Sequence, residues 1–325
     1  MIQATPIRLY NPEHSPRGMT LAEFFDGPYQ QISASRGHKT STRKDYRSAV
    51  NHWLAIHGDT PLDAIDRAKL LEYRKALLSQ LAAATARKYC VDLRAVLAAA
   101  GPVCDRVEDA AALIDSVPSC KLPAVPRTLP RPAYTLDHLQ SWLRACEETS
   151  WCRPLARIAA PRWWRAAIVI LYNTGLRIEA ALLVRWEWVD LARQTIDIPG
   201  AAMKLSHAQR VHLNRHAVEA IESLRPRRRR CHRVLEAPCA YRQLSRYRRR
   251  LLAAAKLPDL GFHGLRRTFA TELSAIDPIA ADLALNHSPR GLGVLFTNYA
   301  NRERIIRRAL DQLPQPTGRL QLELF

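Results

Sequence analysis

The sequence contains no apolar run of the roughly 20 residues that a bilayer-crossing helix needs, so no membrane-spanning segment is expected. Its first residues, MIQATPIRLYNPEHSPRG, lack the apolar stretch of a secretory signal, so no such signal is expected either. Cysteine is scattered. Cys90, Cys104, Cys120, Cys146, Cys152, Cys231 and Cys239 are odd in number and form no C-x-x-C pair, so reduced thiols in a cytoplasmic protein are the plain reading. Cys231, His232 and Cys239 are near one another in sequence, but the spacing fits no common zinc site. The second half of the chain has no carboxylate cluster of the kind a metal-dependent nuclease needs. It also has no elbow motif for a Ser or Cys nucleophile.

Negative charge is the other scarcity. Lys and Arg total 49 against 30 Asp and Glu, giving a formal net charge of +19 and a pI of about 10.2. A solvated surface normally mixes the two signs, so an excess this large points to a polyanionic partner, DNA or RNA before any other. A membrane surface fits less well, because the charge is spread along the chain instead of lying on one amphipathic helix.

The 325 residues are enough for two domains. Residues 1–18 read as a loose polar arm. Residues 19–115 read as a small all-α domain. Tyr46, Val50, Trp53 and Leu54 share one helix face, ended by Gly58. Asp66 is the expected N-cap of the next helix and Thr85 that of a third, which Gly101 and Pro102 close. Basic residues on the polar faces, including Arg43, Lys44, Arg47, Arg87 and Lys88, have few compensating acids and suit a DNA backbone. Residues 116–133 hold five prolines and read as an extended linker.

Residues 134–313 read as a second domain, mainly α with a small antiparallel sheet. Thr135 is the expected cap of its first helix, and Thr174-Gly175 breaks the second. The segments QTIDIPG and QRVHLN alternate as two short strands joined by AAMKLSHA. RPRRRRCHR is the densest charge run, read as a solvated or phosphate-contacting loop. YRQLSRYRRRLLAAA is a basic amphipathic helix whose Arg246 and Arg249 are candidate DNA contacts. Residues 314–325 read as a tail, with Leu320, Leu322 and Leu324 alternating as a strand that could dock on a neighbouring protomer.

Five polar residues and one tyrosine stand in order through this domain: Arg177, Lys204, His263, Arg266, His287 and Tyr299. A phosphodiester attacked in line builds negative charge on its non-bridging oxygens, which planar guanidiniums match with paired hydrogen bonds. His263 and Arg266 are three apart and can share one face of a helical turn. A histidine can donate to a phosphate oxygen or move a proton near neutral pH. A lysine on a hairpin tip suits the protonation of a departing 5′ oxygen, and a tyrosine can attack and form a phosphotyrosine that stores the bond energy.

The stretches NTGLRIEAALLVRWEWVDL, MKLSHAQRVHL, HGLRRTFATEL and LNHSPRGLGVLFTNYANR resemble the tyrosine recombinase (phage integrase) family, and residues 19–115 resemble its helical core-binding domain. The resemblance implies that Arg177 and Arg266 clamp the scissile phosphate and that Lys204 is the general acid. It implies that His263 is the acid/base partner, His287 a donor to a phosphate oxygen, and Tyr299 the nucleophile of a 3′-phosphotyrosyl intermediate. It also implies a tetramer on paired double-stranded DNA sites, exchange through a Holliday junction, and no metal or nucleotide cofactor, with accessory DNA-bending or directionality proteins as candidate partners. Two positions depart from the family pattern. Ala180 stands where an acidic residue is usual, beside Glu179, and Asn286 stands where glycine is more usual before the histidine. A nicking-closing enzyme of the type IB topoisomerase kind and a non-cleaving DNA-binding protein on the same fold are the alternatives.

Overall fold

A computed structural model describes residues 18–104, 107–126, 129–148, 158–202, 208–225, 232–236, 241–286 and 301–316. The chain divides into two compact units, Met1–Leu129 and Pro130–Phe325, each with its own apolar core. Among the described residues no helix is long and apolar enough to cross a membrane.

The first unit is built from α1 (Leu21–Asp26), α2 (Pro28–Ser35), α3 (Thr40–His57), α4 (Arg67–Gln80) and α5 (Ala83–Ala100). Phe24, Phe25, Tyr29, Trp53 and Tyr73 fill its core, each almost wholly removed from water. A fully buried side chain of this size stabilises the fold by about 1.5–3 kcal/mol. Gly58 ends α3 at φ 71°, and Asp66 caps α4 by accepting from the Lys69 amide at 2.8 Å. The start of α5 differs from the sequence expectation. Ala82 is its N-cap and Thr85 falls inside its first turn, because the preceding alanines, the best helix formers, extend the helix backwards.

The proline-rich stretch is also shorter as a free linker than expected. Ile114 is buried in the first core, and Val117, Cys120 and Leu122 pack against it. Arg74 donates to the Lys121 carbonyl at 2.7 Å and Arg87 to that of Pro123 at 3.0 Å. Prolines leave their neighbours' carbonyls without ladder partners, and these two arginines take them up. At the far end Arg267 donates to the Pro132 carbonyl at 2.8 Å within the second unit.

The second unit contains α6 (Leu136–Glu147), α7 (Ala160–Thr174), α8 (Ile178–Leu183), α9 (Arg215–Ser223), α10 (Tyr241–Ala254), α11 (Gly261–Ile276), α12 (Pro278–Ala284) and α13 (Arg302–Leu310). Thr135 caps α6 in a reciprocal box with His138. The sheet has three antiparallel strands in the order β1 (Val189–Asp190), β2 (Thr195–Ile198) and β3 (Gln209–His212). In its register Thr195 faces His212 and Ile198 faces Gln209. The two-residue β1 is too short to show alternation and was not expected from sequence. Helix α8 stops at Leu183, and Trp186 opens a short 3-10 turn.

Helix α7 is buried along nearly its whole length and forms the spine of this unit. Residues 313–316, expected in part as tail, fold back onto it. Leu313 is buried, and Gln315 donates to Asn173 of α7 at 2.7 Å. Asn214, the cap of α9, donates to the same Asn173 oxygen at 2.8 Å. Residues 317–325, with the alternating leucines, lie outside the described residues.

Candidate active site

Three devices bring the described candidate residues together. Gly175 ends α7 in the left-handed conformation at φ 61°, which an L side chain adopts only at a cost. A Cβ there would overlap the Phe269 ring and lie 3.0 Å from Leu285 Cδ2. Two residues later Arg177, exposed, is the N-cap residue of α8. The helix break read from Thr174-Gly175 is what the backbone makes, and it leaves Arg177 at a helix start.

The second device is the first turns of α11. Tyr134 is buried, and its Oη accepts from the Leu260 amide at 3.0 Å. Its ring packs so closely on Gly264 that any side chain there would overlap it. The Thr268 hydroxyl lies 3.1 Å from the Tyr134 carbonyl and 3.0 Å from that of Gly264, and it accepts from the Tyr134 amide at 2.9 Å. Each position of HGLRRTFAT thus has a distinct surrounding. His263 is exposed, Gly264 admits the tyrosine ring, Leu265 and Phe269 enter the core, and Thr268 holds the incoming chain.

The third device is Arg266, which is buried at 6% exposure. Its guanidinium donates to the Gly175 carbonyl and, at 3.0 Å, to the Leu285 carbonyl. One side chain therefore ties the turn before Arg177 to the end of α12, two residues before His287.

These groups share one electrostatic environment. Burial, followed by the nearby Arg177 charge, draws Arg266 down to about 10, so it remains cationic at neutral pH. Partial desolvation holds His263 below the ordinary histidine value, and the charges of Arg267, Arg266, Arg177 and Arg131 push it the same way. Among the described residues neither Arg177 nor Arg266 has a carboxylate partner. Crowded cations without counter-charge form a site that gains from an anion, and two guanidiniums can address several oxygens of one phosphate. Arg131 and Arg267 were not anticipated from sequence as parts of this field. Their signal was present in the basic residues flanking Tyr134 and within HGLRRTFAT.

Lys204, His287 and Tyr299 lie outside the described residues, as do Cys231, Cys239 and residues 226–230 of the arginine run. Ala180 packs against the core of the second unit, and Glu179 is exposed.

The basic surface is more compensated than the composition suggested. On α3, Arg43 and Lys44 are exposed, and Arg43 donates to the His38 carbonyl at 3.2 Å. Arg47 pairs with Asp26 and lies 4.3 Å from the centre of the Phe25 ring. Lys88 on α5 bridges Asp45 at 3.1 Å and Asp92 at 2.8 Å. Those acids come from a helix end, a neighbouring helix and the next turn, so a linear scan of charge runs does not reveal them. On α10, Arg242, Arg246, Arg249 and Arg250 are exposed, and Arg249 lies 3.5 Å from Asp259.

The architecture is shared with solved integrases. A lambda integrase dimer bound to a COC′ core site aligns at a TM-score of 0.62, with 19% identity, over 89% of this chain and 81% of that one. The Tn1549 transposon integrase in complex with circular intermediate DNA aligns at 0.60, with 17% identity, over 90% of this chain and 98% of that one. The fold of the second unit is therefore that of an integrase catalytic domain. Residues 137–289 match the model of the phage integrase family, and this part of the chain is similar to that family. The prophage integrase IntZ of Escherichia coli (strain K12) is 28% identical over 184 residues, which cover 53% of this chain and 43% of that protein. The chain spans less than half the length of the curated relatives it matches.

Proposed function

We propose that this protein is a site-specific DNA recombinase that cuts and rejoins DNA through a 3′-phosphotyrosyl intermediate. The observation that carries the reading is the convergence of Arg177, Arg266 and His263, without carboxylate partners among the described residues, in a phage integrase fold. Arg177 and Arg266 hold the scissile phosphate and stabilise the charge that develops on its oxygens. The Tyr299 oxygen attacks phosphorus, the bond to the 5′ oxygen breaks, and Lys204 supplies the proton that oxygen takes up. His263, its pKa lowered by desolvation and then by the surrounding arginines, is the acid/base partner, and His287 donates to a phosphate oxygen. The phosphotyrosine retains the bond energy, so a second 5′ hydroxyl reverses the step without a nucleotide cofactor.

Strand exchange through a Holliday junction by a tetramer on paired sites completes the proposal, in the cytoplasm where its DNA resides. A lambda integrase tetramer bound to a Holliday junction aligns with this chain at a TM-score of 0.61 and 21% identity. Arg43, Lys44, Arg87 and Arg246 are exposed for backbone contacts, whereas Arg47, Lys88 and Arg249 reach DNA only by loosening an existing ion pair. Ala180 favours one second reading, a DNA-binding protein on this fold that does not cleave. The test uses nicked duplexes drawn from the DNA flanking the coding sequence. A covalent protein–DNA adduct that disappears in Tyr299→Phe supports the recombinase, and binding without any adduct supports the second reading.

A further inference from the structure

One arginine of the basic helix does not face solvent. Arg242, Arg246, Arg249 and Arg250 of α10 are exposed, but the Arg248 side chain retains only 7% of its accessible surface, against 69% for Arg249. Arg248 Nη2 donates to both Asp259 oxygens, at 2.8 and 3.0 Å. Its guanidinium lies 4.9 Å from the centre of the Phe262 ring, which stacks on Trp164 of α7 at 6.2 Å and 6°. Its Nε is buried without a partner. Asp259 Oδ1 also accepts from the Gly261 amide at 3.0 Å, the residue that opens α11 at φ 69°.

Burying a charge is costly, and an apolar side chain of similar size would often serve stability as well. What the arginine adds is direction. It fixes α10 to the two residues, Gly261 and Phe262, that immediately precede His263. Asp259 is shared with the exposed Arg249 at 3.5 Å, so a phosphate that draws Arg249 outward leaves the carboxylate to Arg248 alone.

We propose that Arg248 is a positioning residue: through Asp259 and Phe262 it holds the first turn of α11, and so His263, in fixed relation to the DNA-facing helix α10. The proposal rests on the recombinase reading above. It separates Arg248 from its neighbours, which act on DNA directly.

The experiment compares Arg248→Met, Arg248→Lys, Asp259→Asn and Arg246→Ala in the full chain, using the nicked duplexes described above and a salt titration of duplex binding. Arg248→Met is expected to bind within about threefold of the wild type with an unchanged salt slope, while forming the covalent adduct roughly tenfold or more slowly at saturating DNA. Arg248→Lys keeps a cation against Asp259 and recovers most of the rate, which loss of packing alone would not predict. Asp259→Asn, which spares the aromatic packing, repeats the Met defect. Arg246→Ala shows the opposite pattern, weaker binding and a salt slope smaller by about one. A lowered salt slope in Arg248→Met, a wild-type cleavage rate in it, or no recovery in Arg248→Lys overturns the inference. A wild type that forms no adduct overturns the recombinase reading itself, whereas a wild-type adduct with an unimpaired Arg248→Met overturns this inference alone.

Discussion

Gly175→Ala tests whether the arginine turn is held as tightly as its contacts indicate. Two costs add. At φ 61° an alanine is strained by about 1–2 kcal/mol. Its Cβ would also overlap Phe269 and lie 3.0 Å from Leu285 Cδ2, in a core where Phe269 is wholly buried, and overpacking of this kind costs about 1–3 kcal/mol. The expected loss is about 2–5 kcal/mol. For a unit of this size that is a fall of roughly 4–20 °C in midpoint. Gly261→Ala is the internal control. Its φ is 69°, but the nearest atom to its Cβ is Arg248 Nη1 at 3.9 Å, an ordinary contact, so only the backbone cost of about 1–2 kcal/mol applies. Tryptophan fluorescence in urea reads the second unit, where Trp142, Trp163 and Trp164 are buried. Adduct formation well below both midpoints then reads the site, because Phe269 lies one turn after Arg266, and a shift of about 1 Å there can cost on the order of 100-fold in rate. If Gly175→Ala is no more destabilising than Gly261→Ala, the Phe269 contact relaxes freely and the argument for a rigid turn fails.

Arg266→Lys supplies one ammonium where two carbonyls, on Gly175 and Leu285, now share a planar fork; each carbonyl left unpaired costs about 1–3 kcal/mol, and the adduct rate should fall on the order of 100-fold even where the protein remains folded. Retention of the adduct would show that charge alone suffices. His212 is buried, with Nδ1 unpartnered, and both it and His263 have folded pKa values below the ordinary histidine value. Below 6.5 the unfolded chain therefore binds more protons than the folded one, so stability should be full at higher pH and be lost as pH falls through 6.5 toward the lowered folded values. Urea midpoints across that range check the sign, and His212→Gln should flatten the slope. Arg43→Ala and Lys44→Ala should each lower the salt slope of DNA binding by about one, and Arg47→Ala by less, because Asp26 and Phe25 already hold that side chain. Equal slopes for the three would mean that the pair with Asp26 opens at no cost.

What the sequence made legible was whatever depends on local spacing. The caps at Asp66 and Thr135, the glycine stops at Gly58 and Gly175, and the two alternating strands all obey short-range rules, and the structure forms them. His263 and Arg266 were readable together because they stand three positions apart on one helix. Other features depend on partners far away in the chain. Asp26 beside Arg47 and Asp45 beside Lys88 reduced a basic face that looked uncompensated. The carbonyls of Lys121 and Pro123 found arginines 47 and 36 residues away, which turned half of an apparent linker into part of the first unit. Arg248 looked like one more cation in a run, and only its pairing with Asp259 separates it from the others.

Arg266 shows why a proposed phosphate-binding motif is hard to divide into chemistry and structure. An arginine that only bound phosphate would be expected on the surface, free to reorganise. This one is buried, and its guanidinium already donates to two backbone carbonyls that stand before Arg177 and before His287. Satisfying those carbonyls limits the directions left to its remaining N–H groups, so the side chain is oriented before any ligand arrives. The same bonds hold the turn before Arg177 against the residue that ends α12. The desolvation that draws its pKa down is therefore the cost of fixing a frame, and the nearby Arg177 charge raises that cost further. A phosphate would relieve the repulsion between the two guanidiniums, so binding one should stabilise the second unit.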